Sequence, residues 1–187
     1  MTKRLFDLLL AIPLTLLFSI PIALVAIAVR LTSEGPAIHW SKRVGKNNSI
    51  FLMPKFRSMK INTPQVATHL VSNPDSFLTP IGGFLRITSI DELPQIYSVL
   101  VGDMSFVGPR PALFNQTDLM ELRTRVGVDK IRPGITGWAQ INGRDEIPIP
   151  DKVKLDKFYL ENMSFAFDVK ILLLTGLKVL KRDGITH

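Results

Sequence analysis

LLLAIPLTLLFSIPIALVAIAV, running from Leu8 to Val29, holds 22 residues without a formal charge, and the way it meets a membrane decides the fold. As a helix it would be about 33 Å long, enough to cross the hydrocarbon core of a bilayer. Lys3 and Arg4 precede it, and Arg30, Lys42 and Arg43 follow it. Three readings compete. A secretory leader accounts for the cations before the apolar run, and Ala26-Ile27-Ala28 resembles a cleavage box, but the run exceeds the usual apolar region of such leaders. A simple span leaves cations on both sides, so charge bias selects no orientation. A segment that enters the membrane, bends and returns keeps every cation on one anionic face. A bend needs a helix breaker, and Pro13 and Pro21 both lack a backbone donor. Ser19-Ile20-Pro21 is the preferred break, because the Ser19 hydroxyl can satisfy a carbonyl that proline frees. Prolines also kink spanning helices, so the residues alone leave re-entry and spanning level.

At 187 residues and 46% hydrophobic content the chain suits one globular domain, residues 34–187, behind the apolar segment, residues 1–33. A net charge of +7 without a long lysine run points to polyanionic ligands or an anionic membrane face, with nucleic acid as the rival. The absence of cysteine excludes a disulfide scaffold and a cysteine metal knuckle. His39, His69 and His187 are scattered, which argues against a histidine zinc site.

Ile38 to Val44 and Ile50 to Phe56 read as two strands around Gly45-Lys46-Asn47-Asn48, a turn of residues that tolerate positive φ. Asn62 to Pro80 reads as a surface loop with at most a short helix. Leu93, Ile96, Tyr97 and Leu100 follow helical spacing, and Gly102-Asp103 closes that helix. Helices are also expected over Phe114 to Val126, Asp151 to Leu160 and Phe165 to Leu180, the last suited equally to a membrane interface and to a core. The glycine-rich run Pro133 to Gly143 is expected to be mostly turn. The fold class is therefore an α-rich α+β protein with a short β-hairpin.

Inside Thr88-Ser89-Ile90-Asp91-Glu92-Leu93-Pro94-Gln95, the adjacent carboxylates Asp91 and Glu92 have a mundane explanation. Ser89 to Glu92 matches a capping box, and acidic residues favour a helix's first turn. Pro94 fits that poorly, since a helix capped at Ser89 needs a backbone donor there. In either geometry the positive field of exposed amides should keep both carboxylates ionised. A carboxylate attacks phosphorus without an activating base, and a divalent cation, best Mg²⁺ held at Asp91, would screen a diphosphate substrate. Lys55, Arg57, Arg86, Arg110, Arg132 and Arg144 supply cations for phosphate, Pro109 and Pro111 stiffen Arg110, and Gly134 permits close approach of backbone to a ligand. Any one of these cations alone reads as surface charge. Asp156, Tyr159 and Asp168 read as hydrogen-bonding partners of the arginines.

Lys55-Phe56-Arg57-Ser58-Met59, Ser89 to Gln95, Gly102 to Pro111 and Arg132 to Arg144 together resemble the bacterial sugar transferases, specifically the small monotopic polyprenyl-phosphate phosphoglycosyl transferases. The resemblance runs from Lys3-Arg4-Leu5-Phe6-Asp7 through Asp168. It implies an enzyme on the cytoplasmic face of the bacterial inner membrane that moves a sugar 1-phosphate from a UDP-sugar to undecaprenyl phosphate and releases UMP, the first membrane step in assembling a glycan. It implies that Asp91 forms a covalent phosphosugar intermediate with Mg²⁺, that Glu92 assists the second half of a ping-pong reaction, and that Gln140 and Asn142 join the substrate pocket. It implies anionic inner-membrane lipids as partners, no nucleic acid, and room for a homo-oligomer. It also implies a re-entrant helix broken at a Ser-Pro pair, which is interrupted here as Ser19-Ile20-Pro21. The rival from another class is a membrane-tethered basic protein that binds nucleic acid or anionic lipid without chemistry, whose binding would weaken with salt and survive Asp91→Asn.

Overall fold

The computed structural model describes residues 2–63, 74–143 and 147–181. Its first element, α1 (Thr2–Thr32), is helical throughout, with Pro13 and Pro21 inside it. The expected break near Ser19 and Pro21 is therefore no interruption of helical backbone; Thr15 Oγ1 donates to Ala11 O and Ser19 Oγ to Leu16 O, each at 2.7 Å, within the helix. Asp7, Ala11, Leu14, Phe18, Ile22, Val25 and Val29 recur at three- and four-residue intervals and form the stripe facing the rest of the chain. The ends of that stripe are buried, with Ala11 in the main core and Val29 beside Phe56 and Leu85. Between them Leu14, Phe18, Ile22 and Val25 also pack on these clusters, while the opposite face is open along the whole helix, with Leu5, Leu9, Leu16, Leu17, Ile20 and Leu31 each at least 60% exposed.

Polar contacts pin both ends of the helix to the same body. Near the start, Arg4 donates to the carbonyls of Val99 and Leu100, and buried Asp7 accepts from Ser105 Oγ at 2.9 Å and Phe106 N at 3.1 Å. Just past the far end, Arg57 Nη2 donates to Ser33 O and Oγ, both at 2.9 Å, and to Gly35 O at 3.3 Å.

The hairpin forms where its sequence predicts, β1 (Ile38–Val44) antiparallel to β2 (Ile50–Phe56), with His39 opposite Lys55 and Val44 opposite Ile50. Asn47 and Asn48 carry the positive φ of its turn. After α2 (Gly82–Ile87) come a 3₁₀ helix (Ile90–Gln95) and α3 (Ile96–Val101), closed by Gly102 at φ 98°. The helix expected from Phe114 is α4 (Thr117–Arg125). Of the loop expected over Asn62 to Pro80, the 3₁₀ turn Pro74–Phe77 is seen, while residues 64–73 lie outside the described residues.

The glycine-rich run is more regular than expected. It contains β4 (Gly134–Thr136), which pairs in parallel with β3 (Ser105–Val107), followed by α5 (Trp138–Ile141). Backbone-to-backbone approach explains the glycines: a Cβ on Gly134 would lie 2.1 Å from Gly108 N, and one on Gly137 would lie 2.1 Å from Gly108 O. Gly134 thus serves strand packing. Two long helices complete the fold, α6 (Ile149–Glu161) and α7 (Phe165–Lys181). α7 buries Ile171 and Asp168 while Phe165, Leu173 and Leu177 face outward. The main core joins Ala11, Phe51, Met53, Val99, Met104, Phe106, Tyr159 and Ile171 from α1, the hairpin, α3, β3, α6 and α7.

Gly134→Ala is expected to cost about 2 kcal/mol or more, because the atoms it would strike are backbone of the paired strand. Thermal unfolding of purified protein in detergent should show a clear drop in Tm, and an unchanged Tm would refute the close β3–β4 approach.

Candidate active site

Pro94 cannot donate to a helical ladder, and the chain accommodates it as 3₁₀ helix before α3 begins. Ser89, at φ 56°, is left-handed and makes no side-chain cap bond. The capping-box expectation fails for that reason, since an N-cap hydroxyl reaches its amide from the extended region of backbone space. This tight turn delivers Asp91 and Glu92 in succession toward β2.

The two carboxylates then part company. Glu92 Oε1 accepts from Lys55 Nζ at 2.7 Å and Arg110 Nη2 at 3.3 Å. Burial would raise its carboxyl, but these two cations and their hydrogen bonds hold it well below the usual range. Asp91 is only 8% exposed, and burial pushes its carboxyl up to about 6. Lys55, Arg86 and Arg110 pull it down and the neighbouring Glu92 charge pushes it up. Glu92 thus stays firmly ionised as expected, whereas Asp91 is less so, because its burial outweighs the cations around it.

The structure gathers Asp91, Glu92, Lys55, Arg86 and Arg110, and sends the other expected phosphate ligands elsewhere. Arg57, next but one to Lys55, points to the end of α1. Arg86 lies within electrostatic reach of Asp91 and touches Met59 Sδ at 3.7 Å. Arg132 Nε donates to Gly102 O at 2.7 Å, closing α3. Gln140 Nε2 donates to Ile135 O at 3.2 Å, and Asn142 Nδ2 to Trp138 O at 2.8 Å. Arg144 lies outside the described residues. Asp156 does partner an arginine, taking Arg123 Nε and Nη2 on one oxygen at 2.9 and 2.6 Å. Asp168 instead takes Lys3 Nζ at 2.5 Å and the Tyr159 hydroxyl at 2.7 Å, joining α1, α6 and α7.

Arg123 is the site-linked residue that sequence reasoning missed. It sits on a helix of mixed charge, and its partner is 33 residues away, so nothing local separates it from a solvated cation.

Asp91 also passes a test as a Mg²⁺ ligand. Among the described residues no trio of acidic or histidine side chains is placed to cage a metal. Mg²⁺ keeps several waters and binds through one or two carboxylates plus substrate phosphates, and Asp91, a carboxylate raised by burial beside Glu92, is of the donor type that need calls for.

Comparison with known proteins bears on this arrangement. A family profile described as "Bacterial sugar transferase" matches residues 1–182. The chain is 43% identical over 184 residues to the uncharacterized sugar transferase EpsL of Bacillus subtilis (strain 168), covering 98% of this chain and 89% of that protein. It is 42% identical over 184 residues to the UDP-glucose:undecaprenyl-phosphate glucose-1-phosphate transferase of Escherichia coli (strain K12), covering 94% of this chain and 39% of the relative. It is 35% identical over 201 residues to the undecaprenyl-phosphate galactose phosphotransferase of Salmonella typhimurium, covering 97% and 41%. The chain thus spans about two fifths of the length of these last two relatives. With a match that takes in the hairpin, the carboxylate pair and the Arg110 loop alike, the chain belongs to the bacterial sugar transferase family.

Proposed function

We propose that this protein transfers a sugar 1-phosphate from a UDP-sugar to undecaprenyl phosphate through a covalent intermediate on Asp91. The observation that carries the reading is the division between the carboxylates: Glu92 is saturated by Lys55 and Arg110, while Asp91 is buried, raised and close to the same cations. The names of two relatives supply the substrate class, and they differ in the sugar, so the proposal stops at the UDP-sugar.

In the first half-reaction an Asp91 oxygen attacks the sugar-linked phosphorus. The phosphoanhydride breaks and UMP leaves with the bonding electrons. In the second, an oxygen of the lipid phosphate attacks the same phosphorus, the acyl phosphate breaks, and Asp91 returns as carboxylate. Lys55, Arg86 and Arg110 stand where they can take phosphate oxygens, and cations shared with Glu92 keep its charge from opposing the approaching anion. Glu92 orients the lipid phosphate in the second half. Mg²⁺, held at Asp91 with substrate phosphates, would supply charge screening. One phosphoanhydride replaces another, so no outside energy source enters.

The acceptor's phosphate lies at a membrane surface, which gives α1 a catalytic duty. Its ends are tied to one body, at Arg4 and Asp7 and again at Val29 and Ser33, while its outer face presents Leu5, Leu9, Leu16, Leu17, Ile20 and Leu31 from end to end. That pattern supports a helix whose outer face enters one leaflet while both its ends stay with the body, in a monotopic protein on the cytoplasmic face of the inner membrane, with α7 beside it. It disfavours a span that leaves the membrane on the far side.

Two experiments test the reading. Wild-type protein with Mg²⁺, undecaprenyl phosphate and a panel of UDP-sugars should release UMP, at a rate that falls about tenfold per pH unit below about 6 as Asp91 is protonated. Asp91→Asn should abolish release. A carboxyl raised on folding contributes stability present below its ordinary pKa of 3.8 and lost as pH rises through about 6. In EDTA at pH 7.5, Asp91→Asn should therefore be more stable than wild type, by about 1–3 kcal/mol. Normal turnover in that variant would overturn the assignment. For topology, Thr2→Cys and Thr32→Cys, each the sole cysteine, should both react with an impermeant thiol reagent from the cytoplasmic side; reaction from opposite sides would exclude re-entry.

A further inference from the structure

Pro109-Arg110-Pro111-Ala112 is held by an uncommon arrangement, in which four successive carbonyls are each taken by a donor from elsewhere. Pro109 O accepts from Gly134 N at 2.9 Å, and Arg110 O from Arg123 Nη1 at 2.9 Å. Pro111 O accepts from Arg43 Nη1 at 3.2 Å, and Ala112 O from Val44 N at 3.0 Å. Three of the donors belong to strands β1 and β4. The fourth, on the Arg110 carbonyl itself, is the Arg123 side chain, and Asp156 fixes the other face of that guanidinium through Nε and Nη2.

We propose that Arg123, locked by Asp156, is a positioning residue that sets where the Arg110 guanidinium meets Glu92 and the substrate phosphate. The inference rests on the reading of Asp91, Glu92, Lys55 and Arg110 as the reacting centre. The side chains of Arg123 and Asp156 are 9% and 2% exposed, so neither reaches bulk solvent or substrate, and their action must pass through the loop. The guanidinium is suited to this task. Its planar fork engages one carboxylate oxygen with two nitrogens and leaves a third nitrogen for the carbonyl, a geometry lysine cannot reproduce. Pro109 and Pro111 fix φ on either side of Arg110, so the peptide between them moves as a unit and a shift of its carbonyl is carried into the side chain.

The test is a double-mutant cycle with two readouts. In ligand-free protein, the Arg110 Nε–Hε resonance, followed by ¹⁵N NMR, should move in Arg123→Gln. UMP release should fall on the order of tenfold or more in Arg123→Gln, since misplacement of a phosphate-binding group by about 1 Å is costly. The loss should vanish when Arg123→Gln is made in the Arg110→Gln background. Should Arg123→Gln not fold, Arg123→Lys serves in the same cycle, retaining charge but losing the fork. An Arg110 resonance unmoved by a folded Arg123 variant, or losses that multiply in the double variant, would overturn the proposal. A resonance that moves in protein whose wild type releases no UMP from any UDP-sugar would sustain the positioning role and defeat the reaction assigned above.

Discussion

Glu92 is the point at which separate parts of the chain become one site. Its Oε1 receives Lys55 from the second strand of the hairpin and Arg110 from the loop after β3, partners 37 and 18 residues away. The Glu92 side chain is 23% exposed, so solvent screens the contact only partly, and removing either partner would leave charge poorly compensated. Beside it, burial only partly offset by Lys55, Arg86 and Arg110 raises Asp91 to about 6. Adjacent acids thus acquire different properties from their surroundings alone, one held ionised by direct cation contacts and one raised by burial.

On the proposed function, the helix α1 carries this site to its acceptor. A helix that crossed a bilayer away from the domain would share contacts with it at one end. Here Lys3 meets Asp168, Arg4 the end of α3, Asp7 the start of β3, and Val29 the cluster beneath the 3₁₀ helix that bears Asp91. The outward apolar face and the reactive carboxylate are consequently held in one rigid relation. Depth of insertion and height of the nucleophile cease to be independent, which suits a reaction between a soluble nucleotide sugar and a lipid phosphate.

Much of the scaffold was legible in local pattern. The strand bounds Ile38 to Val44 and Ile50 to Phe56 and the Asn-rich turn were readable because alternation and positive-φ tolerance are local properties. The carboxylate pair was legible as an anomaly, since Pro94 spoiled the capping box that would have explained it. Close approach between distant segments was not legible. Gly134 and Gly137 looked like loop residues because Gly108, the backbone they accommodate, is far off in sequence. Arg57 and Arg132 looked like Lys55 and Arg110 by type and by motif. What separates them is the direction in which each side chain leaves its element, toward Gly35 and Gly102 rather than Glu92. The Arg123–Asp156 pair was hidden for the same reason.

The central claim is that a side-chain oxygen of residue 91 bears the phosphosugar during turnover. Tandem mass spectrometry of enzyme quenched with UDP-sugar and Mg²⁺ before lipid phosphate is added tests it most directly. The account predicts one added sugar phosphate on the peptide containing Asp91, fragmenting to that residue and discharged when undecaprenyl phosphate is supplied. Unmodified enzyme that has nevertheless released UMP, or an adduct mapped to Glu92, would contradict it.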